Sequence, residues 1–272
     1  MEILFLGTAA AEGWPAVFCS CHACSEARRL GGKDFRTRAG ALIDNIVKID
    51  FGPDVVCQMQ RTGRDLTKVS TLLFTHEHDD HCIPAELAYR KRGFITADTV
   101  LPEIEVYGNG YVMDALRRHI PDPASIEGQY FPLAACQPVT TADGTSVFPV
   151  PAAHTAGALL LRIERGGKRL LWGHDTGIVD DETIDALAGV PLDIAVFDCT
   201  YGATSVAQHH HMGIEGIVAT AERLRKVGAI TDATKLVATH FSHNSGLLHE
   251  QLVERFKPYG VTPAYDGMVL EV

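Results

Sequence analysis

The sequence contains no stretch near the roughly 18 consecutive apolar residues of a membrane-spanning helix. It also has no run of five basic residues and no Pro/Ser-rich linker, low-complexity tract or repeat. Each absence removes a class of function. Without an apolar span the chain is not expected to act in a membrane. Without a basic track, and with a formal charge of −10, it is not expected to grip a long nucleic acid. Without a linker, residues 1–272 read as one domain. Met1–Leu6 lacks the basic segment that opens a secretory signal and reads instead as a first strand. The 7 cysteines are odd in number and form no even framework, which predicts free thiols in a reducing, cytoplasmic setting. What is present, 46% hydrophobic and 21% charged residues, suits a globular chain with a large core.

The densest chemistry lies in Thr75-His76-Glu77-His78-Asp79-Asp80-His81, directly after the apolar run Val69–Phe74. Neutral imidazole and carboxylate oxygen are the ligands that borderline divalent ions accept, and alternating ligands on a tight loop can serve two adjacent ions. His76 and His78 are expected to face one ion, Asp80 and His81 the other. A second cluster, Cys19-Ser20-Cys21-His22-Ala23-Cys24, sits in an insertion near residues 15–30. Three thiolates at that spacing favour a closed tetrahedral zinc site that needs a fourth ligand. His243 is the candidate; His22 is the rival, cramped between two ligating cysteines.

The H-x-H-x-D-H motif is followed in order by His154 in Pro151–Thr155, Asp175 in Gly173–Gly177 and His240 in Ala238–Phe241, each after a strand-like run. This pattern resembles the metallo-β-lactamase superfamily. The resemblance implies that His76, His78 and His154 bind a first ion, that Asp80, His81 and His240 bind a second, and that Asp175 bridges them. Two ions about 3.5–4 Å apart can share a hydroxide and polarise a phosphoryl or carbonyl oxygen. Zinc or manganese, or else iron, would fill that pair, with a structural zinc on the cysteines. His243 lies three residues beyond His240, so one loop would serve both sites.

The opening Gly7-Thr8-Ala9-Ala10-Ala11-Glu12-Gly13-Trp14-Pro15, together with C-x-C-x-x-C, resembles the phosphodiesterase branch of the carbon–phosphorus lyase pathway. That branch implies a small phosphodiester substrate such as a phosphorylated ribose 1,2-cyclic phosphate. The branch of pyrroloquinoline quinone biosynthesis shares the cysteines but is altered in the catalytic motif, which is intact here. The resemblance further implies a general acid in Gln208–Gly213, His211 in first place and His209 in second, with Asp198 orienting it. The tRNA-processing branch carries an extended RNA-gripping arm, for which no insertion is found. A thioesterase or lactamase is the alternative hydrolase. A non-haem iron oxidoreductase would call for a modified ligand set, and a metal-stapled binding module for a vestigial one. A homodimer is left open.

Less specific expectations concern Arg36 and Arg38, as a phosphate grip or a solvated loop, and Asp50, at a strand end near the site or in an Asx turn onto Gly52. Cys57, Cys82, Cys136 and Cys199 are expected in the core. Strand-like runs recur along the chain, Arg165-Gly166-Gly167-Lys168 marks a hairpin, and helical periodicity appears over Pro84–Arg92, Ile214–Leu224 and Leu248–Phe256. Hairpin-rich strands with a few amphipathic helices fit an α/β fold of the αββα type, two mixed sheets packed between helical layers.

Overall fold

The computed structural model describes residues 1–204 and 208–272. Six strands come first: β1 (Glu2–Gly7), β2 (Gly40–Ile43), β3 (Val47–Ile49), β4 (Thr71–Leu73), β5 (Ile104–Gly108) and β6 (Gly128–Pro132). A second set follows: β7 (Val139–Thr140), β8 (Ser146–Pro151), β9 (Leu159–Arg165), β10 (Lys168–Gly173), β11 (Ile194–Asp198), β12 (Lys235–Thr239) and β13 (Val261–Pro263). The final strand, β14 (Val269–Glu271), returns to the first set. The two seven-stranded sheets run β14-β1-β2-β3-β4-β5-β6 and β13-β12-β11-β10-β9-β8-β7.

Pairing reveals a duplication that the amino-acid pattern hides. In the first sheet β14, β1, β2 and β3 pair antiparallel, and β3 to β6 then pair parallel. In the second, β7 to β10 pair antiparallel and β10 to β13 parallel. Successive side chains of a strand point to opposite faces, and here both faces are covered. Ile3 and Phe5 of β1 join Ile194 and Val196 of β11 in the core between the sheets. Leu4 and Leu6 face the other way, towards Val112, Met113 and Leu116 of α4 (Gly110–His119). Ala195 and Phe197 pack in the outer layer with α1 (His22–Leu30), α5 (Asp181–Ala186), α6 (Ile214–Lys226) and α7 (His249–Phe256). The result is the expected αββα sandwich, and burial on both faces explains strands that read as continuous apolar runs.

Two further helices, α2 (Val55–Thr62) and α3 (Pro84–Leu87), complete the layer over the first sheet. The helix expected over Pro84–Arg92 gives way to a 3₁₀ turn at Ala88–Arg90. No helix is long and apolar enough to cross a membrane among the described residues. Of the four cysteines expected in the core, Cys82 and Cys199 are buried. Cys57 and Cys136 are exposed, the first on the solvent face of α2 and the second in a turn with positive φ.

Candidate metal centre and active site

The catalytic-type residues gather where parallel strands end, the place at which open α/β sheets present loops rather than ladder hydrogen bonds. The loop after β4 is folded back by His81 N and Cys82 N, which donate to His78 O at 2.9 and 2.8 Å. Phe51 N on the neighbouring loop donates to His81 O at 2.7 Å. Gly52 is required at that junction, since a Cβ there would lie 2.1 Å from Asp80 O. Asp50, Asp175 and His240 each occupy the left-handed region, with φ of 55, 51 and 61°. A non-glycine residue is held there only when its surroundings over-determine it.

These turns bring two sets of donors together. His76, His78, His154 and Asp175 offer one ligand atom each within 4.8 Å of one another, and so do Asp80, His81, Asp175 and His240. Asp175 belongs to both. Its Oδ2 is 3.2 Å from His76 Nε2 and 2.7 Å from His81 Nε2, and its Oδ1 is 3.0 Å from His240 Nε2. Asp80 Oδ2 lies 2.9 Å from His81 Nε2 and 3.6 Å from His240 Nε2. The residues expected around each of two ions are thus brought together in space.

The opposite ring nitrogens are tied to the scaffold. His81 Nδ1 donates to Asp50 at 2.8 Å, His240 Nδ1 meets Thr200 Oγ1 at 2.8 Å, His154 Nδ1 donates to the His210 carbonyl at 3.0 Å, and His76 Nδ1 meets Thr75 Oγ1 at 3.1 Å. A histidine held through Nδ1 presents Nε2, the arrangement by which outer hydrogen bonds fix ring and tautomer in metal sites. Asp50 is therefore no simple Asx turn. Its buried carboxylate also accepts from Thr75 N at 2.9 Å and from His174 Nε2 at 2.9 Å.

Whether this cavity suits metal can be tested on its orphans. The Nε2 atoms of His76, His81 and His240, and Asp175 Oδ1, are buried without a hydrogen-bond partner, although buried polar groups are almost always satisfied. Electrostatics agree. Burial pushes the Asp175 carboxyl up, but His240 and His81 outweigh it and hold it well below the usual carboxylate range. Asp80 and Asp50 behave alike, pushed up by burial and pulled further down chiefly by His81. Burial opposes charge on His81 and His240, yet Asp80 and Asp175 raise the first well above its ordinary value, and Asp175 leads in raising the second to about 10. Clustered carboxylates thus demand positive charge, which protons or divalent cations can supply. The donor set fits two divalent ions.

His211 stands at the rim. Its Nδ1 donates to Asp198 Oδ2 at 2.9 Å and lies 3.4 Å from Asp175 Oδ1. Asp198 also accepts from Thr200 N and Met212 N, at 2.9 and 3.0 Å. The structure brings His211 and Asp198 into the cluster. His209 is exposed and joins none of the donor groups among the described residues.

The thiols form a separate group, Cys19, Cys21, Cys24 and His243, again with ligand atoms within 4.8 Å. Cys21 and Cys19 Sγ are 3.5 and 3.7 Å from His243 Nδ1, and none of the cysteines is paired in a disulfide. The Cys24 amide, followed by His243, draws the Cys21 thiol down to about 6 against its desolvation. His22, the rival ligand, is exposed at the start of α1. A Cys₃His set of this kind fits zinc. The loop between His240 and His243 thus joins the two centres.

Arg36 and Arg38 are committed elsewhere. Arg36 is buried, bonding Thr8 Oγ1, Ala264 O and His249 Nδ1, and Arg38 pairs with Asp54 at 3.0 Å. Sequence reasoning passes over Thr75, His174 and Thr200, whose hydroxyl and imidazole types carry no motif of their own. The adjacency of Thr75 to His76 and of His174 to Asp175 is the only signal available.

A family model described as a beta-lactamase superfamily domain matches residues 45–241, a stretch containing both His/Asp donor sets but neither the thiols nor His243. Among solved structures, a diphosphatase from the PhnP family is 24% identical with a TM-score of 0.77, covering 100% of this chain and 97% of that one. Zn(2+)-bound PqqB from Methylobacterium extorquens is 21% identical with a TM-score of 0.77, covering 100% of both chains. The short form of human tRNase Z is 17% identical with a TM-score of 0.66, covering 100% of this chain and 99% of that one. At such identities the likeness speaks for the fold. No curated protein matches the sequence.

Proposed function

We propose, for a chain that belongs to the beta-lactamase superfamily, that it is a dinuclear metal-dependent hydrolase of a small cyclic or activated phosphodiester. The observation that carries this reading is the pair of donor sets sharing Asp175, with His211 held by Asp198 against their edge. Two divalent ions there would polarise a phosphoryl oxygen and make water a stronger nucleophile. His76, His78 and His154 would hold one, Asp80, His81 and His240 the other, with Asp175 between them.

The remaining work falls to the chain's own groups. Asp50, Thr200, Thr75 and the His210 carbonyl keep four imidazoles turned inward, so little reorganisation is needed when substrate enters. Asp198 accepts the Nδ1 proton of His211, which leaves Nε2 to carry the proton for a departing oxygen. An alkoxide leaving group needs such a donor far more than a thiolate does, and this favours phosphodiester over thioester cleavage. Similarity to a diphosphatase is in keeping with chemistry at phosphorus. Zinc or manganese, or else iron, suits the His/Asp sets, and the thiol set would hold a structural zinc. Unpaired cysteines throughout support a cytoplasmic setting.

The test is a panel on metal-replete protein: bis-p-nitrophenyl phosphate, cyclic nucleotides, a phosphorylated ribose cyclic phosphate, a nucleoside diphosphate, a thioester and a β-lactam. Cleavage of phosphodiesters is expected. Turnover of the thioester or lactam with none of the phosphorus compounds would overturn the reading.

A further inference from the structure

Arg36 lies behind the segment that carries both His240 and His243, and it is 3% exposed. Its backbone pairs with Trp14, Arg36 N donating to Trp14 O at 2.7 Å and Trp14 N to Arg36 O at 2.9 Å, just ahead of the insertion that bears the thiols. From there the guanidinium reaches towards the far end of the chain. Nη1 donates to Thr8 Oγ1 and to Ala264 O, both at 2.7 Å, and Nη2 donates to His249 Nδ1 at 3.0 Å. The planar group also lies over the Phe241 ring, 4.5 Å from its centroid, where a cation is attracted to the aromatic face.

Phe241 follows His240 directly and stands two residues before His243. Its N–H donates to Thr8 O at 2.8 Å and its carbonyl accepts from Ala10 N at 3.0 Å, so the N-terminal loop holds its backbone while Arg36 covers its ring. Thr8 is fixed in turn, since its Oγ1 accepts from Arg36 and donates to Asp266 at 2.8 Å. His240 itself has a φ of 61°, which a non-glycine residue keeps only when its neighbours impose it. For packing alone, an apolar side chain of similar length would serve at no cost in buried charge. Burial draws the guanidinium down to about 10, with Asp266 and then Asp34 opposing, so the charge persists at neutral pH. His249, lowered to about 4 by burial and then by Arg36, stays neutral and free to accept.

We propose that Arg36 is a positioning residue that sets Phe241, and through it both His240 and His243, so that the two metal centres tighten or loosen together. The inference rests on the metal reading of the two donor groups and is independent of which ester is cleaved.

The experiment measures metal binding by Arg36→Met, beside the wild type and Leu116→Ala, which opens a cavity beneath α4 in a different core cluster. Competition with a chromophoric chelator reports the His/Asp sets, and the cobalt thiolate band under the same competition reports the thiol set. Arg36→Met is expected to weaken both centres by about tenfold or more, the range seen when an outer partner of a metal ligand is lost. Leu116→Ala is expected to lower the melting temperature and weaken neither. Should Arg36→Met not fold, Thr8→Val decides: it removes one acceptor of the guanidinium, keeps the backbone bonds to Phe241, and is expected to weaken both centres in the same direction. Unchanged affinities at both centres, or a loss confined to one, overturn the inference while the metal reading stands. Equal losses in Leu116→Ala overturn it as well, because general loosening then accounts for them. A wild type that binds no divalent ion at the His/Asp sets overturns the metal reading and the inference with it.

Discussion

Replacing Asp50 by Asn probes the scaffold behind the metal cluster without touching a proposed ligand. One carboxylate oxygen accepts from Thr75 N, while the other accepts from His81 Nδ1 and His174 Nε2. An Asn amide can serve only one side with an oxygen. If its NH₂ faces His81, the imidazole must accept at Nδ1 and carry its proton on Nε2, the atom 2.9 Å from Asp80 and 2.7 Å from Asp175. A protonated Nε2 cannot bind metal. If the amide turns the other way, Thr75 N–H meets a donor and the loop after β4 is strained instead. Loss of such an outer partner costs about 10–100-fold in metal affinity, or about 1.4–2.7 kcal/mol at 1.36 kcal/mol per decade. The assay is competition with a chromophoric chelator. In parallel, cobalt substitution reports the thiol site through its thiolate charge-transfer band. We expect the affinity of the Asp80/His81/Asp175/His240 set to fall by that factor and the thiolate band to persist. Affinity within twofold of wild type, in a protein with an unchanged melting curve, refutes the proposed role of Asp50.

Other outcomes follow from the same geometry. His240→Ala is expected to lose metal from the His/Asp sets and keep the thiol-bound ion; elemental analysis of dialysed protein showing equal loss of both kinds contradicts separate centres. His211→Ala should slow cleavage of an ester with an alkoxide leaving group by about 10²–10⁴-fold and release of p-nitrophenolate far less, so equal losses on both substrates count against a proton donor. Burial, against the pull of Asp50, lowers the Lys48 ammonium to about 8, whereas an unfolded lysine keeps its proton to about 10.4. The unfolded state is therefore the more protonated between those values, and stability should rise with pH across that window by up to about 3 kcal/mol. Lys48→Met should abolish the rise, and superimposable stability profiles for the two proteins would disprove it.

Legibility in the sequence followed locality. His76, His78, Asp80 and His81 lie on one loop, so their common purpose shows in six residues, and the thiols are as compact. His154, Asp175 and His240 become readable only as an ordered set after strand-like runs. The groups that hold them do not. Asp50 meets His174 across 124 residues, and Thr200 meets His240 across 40, distances over which no spacing rule operates. The duplicated sheet pattern is equally silent, because strands buried on both faces ask only for apolar residues and carry no register mark. Helix α4 has a readable signature that the helical expectations omit: Asn109 caps it through Val112 N, and Val112, Met113 and Leu116 share its buried side.

The short span from His240 to His243 has a consequence for how the protein is made. Cys19 must wait for a partner 224 positions downstream, and Asp80 must likewise wait for His240. During translation the three thiols emerge long before their imidazole partner, and neither the thiol set nor the Asp80/His81/Asp175/His240 set is complete until the segment from His240 to His243 has been made. Any ion met earlier would find both of these donor groups unfinished, and one stretch of four residues completes them together.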